Sequence, residues 1–179
     1  MMIGLFVTAL VTATAVPAKA LTLTSGDIRD GARVPQQQIY TGCGGGNVSP
    51  ELSWNGAPAN TKSFALTVFD PDAPHRGGWW HWIALGIPAS QHHLARGAGT
   101  VAGGTMPKGT VQGTNDFGEI GYDGPCPPKG NRPHRYQFVL WALDTTVVPF
   151  SADVKGPAAA MWLMEHTIAK ATMTPVYGR

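Results

Sequence analysis

Charge is scarce in this chain of 179 residues: Asp, Glu, Lys and Arg together make up 13% of it. There are 13 basic and 11 acidic side chains, a formal net charge of +2, and no clustering of lysine or arginine along the sequence. The chain therefore lacks the basic face that nucleic-acid binding requires. Long hydrophobic runs are missing too. Beyond the amino terminus, nothing approaches the roughly 18 uninterrupted apolar residues of a membrane-spanning helix. There is no internal repeat, no linker and no run of like charge, so the region from about Leu21 onward reads as one domain, 21–179. No G-x-S-x-G elbow occurs, and Cys126 lies in none of the known cysteine-protease signatures, so no complete nucleophilic arrangement is present.

What the chain has in quantity is glycine (23), proline (15) and hydrophobic residues (43%). That balance predicts a mostly β protein of short elements joined by constrained loops. "SFALTVFD" (63–70), "WWHWIALGI" (79–87) and "HRYQFVLWALD" (134–144) are apolar, rich in aromatic or β-branched residues, and read as strands. In the last of these, Tyr136, Phe138, Leu140 and Ala142 share one face, with Arg135, Gln137, Val139 and Trp141 on the other. One helix is predicted over "KGPAAAMWLMEHTIAKAT", with Pro157 in its first turn and Met161, Met164, Glu165 and Ile168 on its docked side.

The amino-terminal "MMIGLFVTALVTATAVPAKA" is apolar, contains no acid and ends in a small-x-small site. It predicts a signal peptide over residues 1–20, cleaved after Ala20, and hence a periplasmic or secreted protein. Because no Lys or Arg precedes its apolar stretch, an uncleaved anchor is the alternative reading. The chain holds two cysteines, Cys43 and Cys126, and an even count in an exported protein predicts a disulfide between them; two buried thiols that never meet are the alternative.

Chemistry concentrates in "FDPDAPHRGGWWHWIALGIP", residues 69–88. Asp70 and Asp72 flank Pro71, and the extended bias of a pre-proline residue would turn both carboxylates to one cleft. "DPDAP" reads equally as a turn whose aspartates accept backbone N–H groups. His81, between Trp80 and Trp82, needs partners for its ring nitrogens; an aspartate accepting from one of them would orient the ring and favour its charged form. A structural histidine is the competing reading. A second polar cluster follows in "GYDGPCPPKGNRPHRY", where Pro125, Pro127, Pro128 and Pro133 stiffen a loop that delivers His134 and Tyr136 to one face of a strand. Convergence of these acids, imidazoles and a phenol would suit a small phosphate or carboxylate.

The ordered set "NVSPELSWNGAP", "DPDAP", "WWHW", "GYDGPCPPKG", "HRYQFVLWALD" and "VYGR" resembles the phosphatidylethanolamine-binding proteins, in their bacterial Raf kinase inhibitor-like branch. The resemblance implies a large central antiparallel sheet packed on a second, smaller sheet, a few peripheral helices, and an anion-binding pocket at one end. It implies a ligand-binding set of Asp70, Asp72, Trp79, His81, Pro127, His134 and Tyr136, a cis bond before Pro74, and no further helix after "VYGR".

The function expected from residues and resemblance together is non-enzymatic binding of a small phosphorylated or carboxylated ligand, without a cofactor. A protein target of the kinase or protease kind is a further expectation. A hydrolase using an Asp/His pair and a metal site built from Asp70, Asp72, His81 and His134 are the alternatives. His75, His92, His93 and His166 read as solvated residues without a role.

Overall fold

The computed structural model describes residues 20–101 and 104–179; the predicted leader, apart from Ala20, lies outside the described residues. The first half of the domain carries strands β1 (Thr22–Thr24), β2 (Leu52–Asn55), β3 (Ser63–Asp70), β4 (Trp79–Pro88) and β5 (His93–Leu94). The second half adds β6 (Val111–Gln112), β7 (His134–Arg135), β8 (Gln137–Leu143), helix α1 (Gly156–His166), β9 (Thr167–Met173) and β10 (Val176–Tyr177).

A five-stranded antiparallel sheet in the order β6-β4-β3-β8-β9 forms the centre, a three-stranded sheet β1-β2-β5 packs on it, and β7 pairs with β10 in a short ribbon. Alternation along β3 explains the layering. Phe64, Leu66 and Val68 point to the face that the small sheet covers, where they meet Trp54, Leu52, Phe138 and Leu140. Ala65 belongs to the opposite face, which α1 covers with Ala159, Trp162 and Leu163 against Ile83, Leu85 and Leu143. The Tyr136, Phe138, Leu140 and Ala142 face is buried in the larger of these two cores, in agreement with the sequence pattern.

Three local expectations differ from the structure. The helix stops at His166, and Thr167–Met173 forms a strand instead: its threonines and Ile168 favour extended backbone, and pairing with β8 completes the sheet edge. The buried face of α1 is also not the predicted one, since Met161 (64%) and Met164 (69%) are exposed, while Trp162 and Leu163 dock. Finally, the bond before Pro74 is trans. The loop after β3 reverses through Gly77 and Gly78 at φ 94° and 75°, closed by a hydrogen bond from the Gly78 amide to the His75 carbonyl (3.0 Å), and needs no cis peptide. Only one α-helix occurs among the described residues, accompanied by two single-turn 3-10 segments at Gln36–Gln38 and Thr41–Cys43. None of these is long and apolar enough to cross a membrane.

Cys43, at the end of the second 3-10 turn, is bonded to Cys126 across 83 residues of sequence, with Cα atoms 5.6 Å apart. Closing so long a loop restricts the unfolded chain, so reduction should lower stability by about 4 kcal/mol, read from urea unfolding with and without a dithiol. The same measurement tests the helix face. Leu163→Ala should cost about 2–5 kcal/mol through the cavity it leaves, and Met164→Ala less than about 0.5 kcal/mol.

Candidate functional site

At one end of the central sheet the apolar face gives way to polar groups. Asp70 follows Phe64, Leu66 and Val68 in the alternation of β3, and so falls on the face that carries Tyr136 and Phe138. β4 reaches that face only through an irregularity. Val68 pairs with Trp82 and Phe69 with Trp80, leaving His81 as an extra residue, a β-bulge. The bulge explains why Trp82 packs in the core beneath the small sheet while Trp80 packs against the α1 side. It also turns the His81 ring onto Tyr136, edge to face, with ring centroids 5.2 Å apart.

These residues enclose a cavity of about 150 Å³. Asp70, His81, His134 and Tyr136 form its polar wall. Trp79, Phe117 and the Ala73–Pro74–His75 turn close one side, and Cys126, Pro127 and Pro128 the other. The structure thus brings together six of the seven residues expected at the site. Asp72 is the exception: its carboxylate accepts hydrogen bonds from the Arg135 amide (3.0 Å) and guanidinium (2.8 and 2.9 Å) and from Arg132 (3.0 Å), and it does not line the cavity. The turn reading of "DPDAP" accounts for this, because Asp70 Oδ1 also accepts the Asp72 amide at 2.8 Å.

The histidines are oriented differently from each other. His134 Nδ1 donates to Asp70 Oδ2 at 2.7 Å, both groups being buried. His81 does not bond an aspartate side chain; its Nδ1 donates to the backbone carbonyl of Asp123 at 2.7 Å. The expectation that a carboxylate would favour imidazolium at position 81 is therefore corrected. Burial pushes the His81 imidazole below its ordinary value, outweighing the Asp123 hydrogen bond and the fields of Asp70, Asp123 and Asp116. Burial likewise pushes the Tyr136 phenol up, helped by the charge of Asp70, so it stays protonated. Its hydroxyl has no partner among the described residues, and neither has the Trp79 indole N–H.

Several contributors were not singled out from the sequence. Asp123 is buried, its carboxylate held by Asn47 Nδ2 (2.7 Å) and Asn115 Nδ2 (2.8 Å), and its amide donates to the His81 carbonyl at 3.0 Å. Asn47 sits at φ 53° and returns its side-chain oxygen to the Gly124 amide at 2.8 Å. Asn115, wholly buried, accepts the amides of Phe117 and Glu119 and shapes the turn that lowers Phe117 over the cavity. The available signal was compositional: Asn, Asp and Gly recur through "GTNDFGEIGYDGP" as they do in side-chain-stapled turns. His75 is exposed, as expected, but its ring also packs at a tilt against Trp79, with centroids 4.6 Å apart, and lines the cavity. Among the described residues no three His, Cys, Asp or Glu side chains converge as a metal-ligand set.

Comparison with known proteins agrees with this architecture. A family model described as phosphatidylethanolamine-binding protein matches residues 24–178. The chain is 47% identical to the UPF0098 protein YbcL of Escherichia coli, over 89% of this chain and 88% of that protein. It is 41% identical to the UPF0098 protein YbhB of the same organism, over 88% and 99%. Among solved structures, E. coli YbcL, described as a member of the mammalian PEBP family, superposes with a TM-score of 0.87 at 45% identity, covering 90% of this chain and 99% of YbcL. A homologue from Chlamydia trachomatis superposes at 0.75 with 34% identity, over 89% and 98%. Matched by the family model over residues 24–178, and by sequence and fold along 89% and 90% of its length, this chain belongs to the phosphatidylethanolamine-binding protein family.

Proposed function

We propose that this protein binds a small phosphorylated or otherwise anionic group in the cavity between β3, β4 and β7, without transforming it. The observation that carries this reading is Tyr136, a buried residue that lines the cavity and whose hydroxyl has no partner among the described residues. Native interiors seldom leave such a donor unmatched, because an unpaired buried hydroxyl costs on the order of 1–3 kcal/mol. A ligand oxygen accepting from it removes that cost.

The cavity lining supports binding over catalysis. It contains no serine, threonine or lysine, and its cysteine, Cys126, is held in the disulfide. The Asp70–His134 pair has the form of an acid-base dyad, but no activated nucleophile faces it. The disulfide is consistent with an extracellular location and fits the exported protein that the leader segment suggests.

Titration calorimetry with inorganic phosphate and with phosphoethanolamine tests the reading; no saturable heat at millimolar concentration would sink it. Tyr136→Phe should weaken binding by about tenfold while cooperative unfolding stays intact, since the variant loses an unmatched hydroxyl and keeps the ring. Asp72→Asn should do the reverse, with affinity unchanged and stability near neutral pH reduced by about 1 kcal/mol, a modest figure because both guanidinium partners are solvated. Arg135, first by hydrogen bonding and then with Arg132 by charge, holds the Asp72 carboxyl down to about 2 from 3.8. Its stabilising effect is therefore complete above the ordinary carboxylate range and lost as pH falls toward 2, where wild type and Asp72→Asn should converge in urea unfolding.

A further inference from the structure

Three dipeptides in this chain, Asp30-Gly31, Asn55-Gly56 and Asp123-Gly124, have the chemistry to close the same five-membered imide ring. Glycine carries no Cβ to hinder attack of its backbone nitrogen on the preceding side-chain carbon. We propose that the fold directs this chemistry to one of them: Asn55 is a site of spontaneous deamidation to aspartate and isoaspartate, while hydrogen bonds withhold both Asp-Gly pairs from the matching isomerisation.

Ring closure requires a side chain free to turn and a glycine amide free to attack. At Asp30 neither is free: Oδ1 accepts the Thr174 amide at 2.7 Å, and the Gly31 amide donates to the Thr174 carbonyl at 3.0 Å. At Asp123 the carboxylate accepts from Asn47 (2.7 Å) and Asn115 (2.8 Å), and the Gly124 amide donates to the Asn47 side-chain oxygen at 2.8 Å. Asn55 has no such restraint. It ends β2 on the exposed side of the alternation, and its carbonyl accepts the Thr22 hydroxyl at 3.3 Å. Neither its side-chain amide nor the Gly56 amide has a hydrogen-bond partner among the described residues. Gly56 then turns the chain out of the strand at φ 78°, a conformation open to glycine.

The other four asparagines precede bulkier residues. Asn47 and Asn115 are also committed to Asp123. Asn60 and Asn131 are exposed, but Thr61 and Arg132 follow them, and a Cβ at that position crowds the attacking nitrogen.

In the first step the Gly56 nitrogen bonds to Asn55 Cγ, the bond from Cγ to the side-chain nitrogen breaks, and ammonia leaves with the proton of the Gly56 amide. Water, the co-reactant, then adds to one of the two ring carbonyls and breaks its bond to the Gly56 nitrogen. Opening at Cγ gives aspartate. Opening at the backbone carbonyl gives isoaspartate, with the main chain routed through Cγ. No electrons are transferred. Asn55 lies outside the cavity lining, so the conversion adds a negative charge to the domain and leaves the ligand site as it is.

Incubation of the folded, disulfide-intact protein in warm, mildly alkaline buffer, followed by peptide mapping with mass spectrometry, tests the assignment. Position 55 should convert roughly tenfold faster than any other asparagine. Part of the product should accept a methyl group from an isoaspartyl methyltransferase, and Asp30 and Asp123 should remain unmodified. In urea the restraining hydrogen bonds are gone, so isoaspartate should then form at all three dipeptides. Asn55→Gln, a change at an exposed side chain, should remove the main product without altering the unfolding midpoint. An Asn55 that stays intact in the folded protein, or that converts no faster than Asn60 or Asn131, would overturn the site. Isoaspartate forming at Asp30 or Asp123 as fast in the folded chain as in urea would overturn the protection.

Discussion

One hydrogen bond organises the cavity: the His81 imidazole donates to the Asp123 carbonyl at 2.7 Å, from a β-bulge in a central strand to a loop that follows a different strand. The bulge presents the ring on the face of the sheet where Tyr136 waits, and the carbonyl determines which ring nitrogen is left over. Asn47 and Asn115 act through Asp123, so residues from three separate parts of the chain hold a single imidazole in place. Buried polar networks of this kind are costly when any member is unsatisfied. Here the amide, carbonyl and carboxylate of Asp123 all have partners, and two of the buried donors left unmatched among the described residues, those of Trp79 and Tyr136, belong to residues that line the cavity.

The remaining walls are fixed by more ordinary means. On one side the Asp72 carboxylate clasps Arg132 and Arg135, tying the loop after β3 to the start of β7. On the other, the disulfide anchors Cys126 and with it Pro127 and Pro128, while Arg179 Nε donates to the Pro127 carbonyl at 2.6 Å. Gly124 lets this loop approach the chain at Gln38 and Tyr40, where a side chain would meet the Gln38 carbonyl at 2.0 Å. Both lips of the cavity are thus held from outside it, and the interior is left to groups whose hydrogen bonds face a ligand.

Much of this was legible in the residues. The three long strands announce themselves by apolar and aromatic content, and they run at Ser63–Asp70, Trp79–Pro88 and Gln137–Leu143. The Cys43–Cys126 pairing followed from a count of two, and the polar clusters around "DPDAP", His81 and His134 stood out against apolar surroundings. Other features were hidden for physical reasons. The second half of the predicted helix has adequate local propensity, yet extended pairing with β8 offers Thr167–Met173 more, and tertiary context overrides propensity. The exposed methionines of α1 mislead because an apolar side chain on a surface is common, whereas the docking of Trp162 and Leu163 depends on the sheet beneath.

The sequence by itself determined the class of fold, the strands that build the central sheet, the disulfide partners and the chemical types gathered at one end. Alternation of apolar residues, an even cysteine count and the cost of burying polar groups operate locally or by simple number. Only the tertiary structure decided which of these groups meet. Strict alternation along β4 would carry His81 to the side of Ile83, against α1, and the bulge reverses that. It also gave Asp70 to His134, Asp72 to two arginines and the Asp123 carbonyl to His81, because partners in a buried network are chosen by position in space, and distance along the chain leaves that choice open.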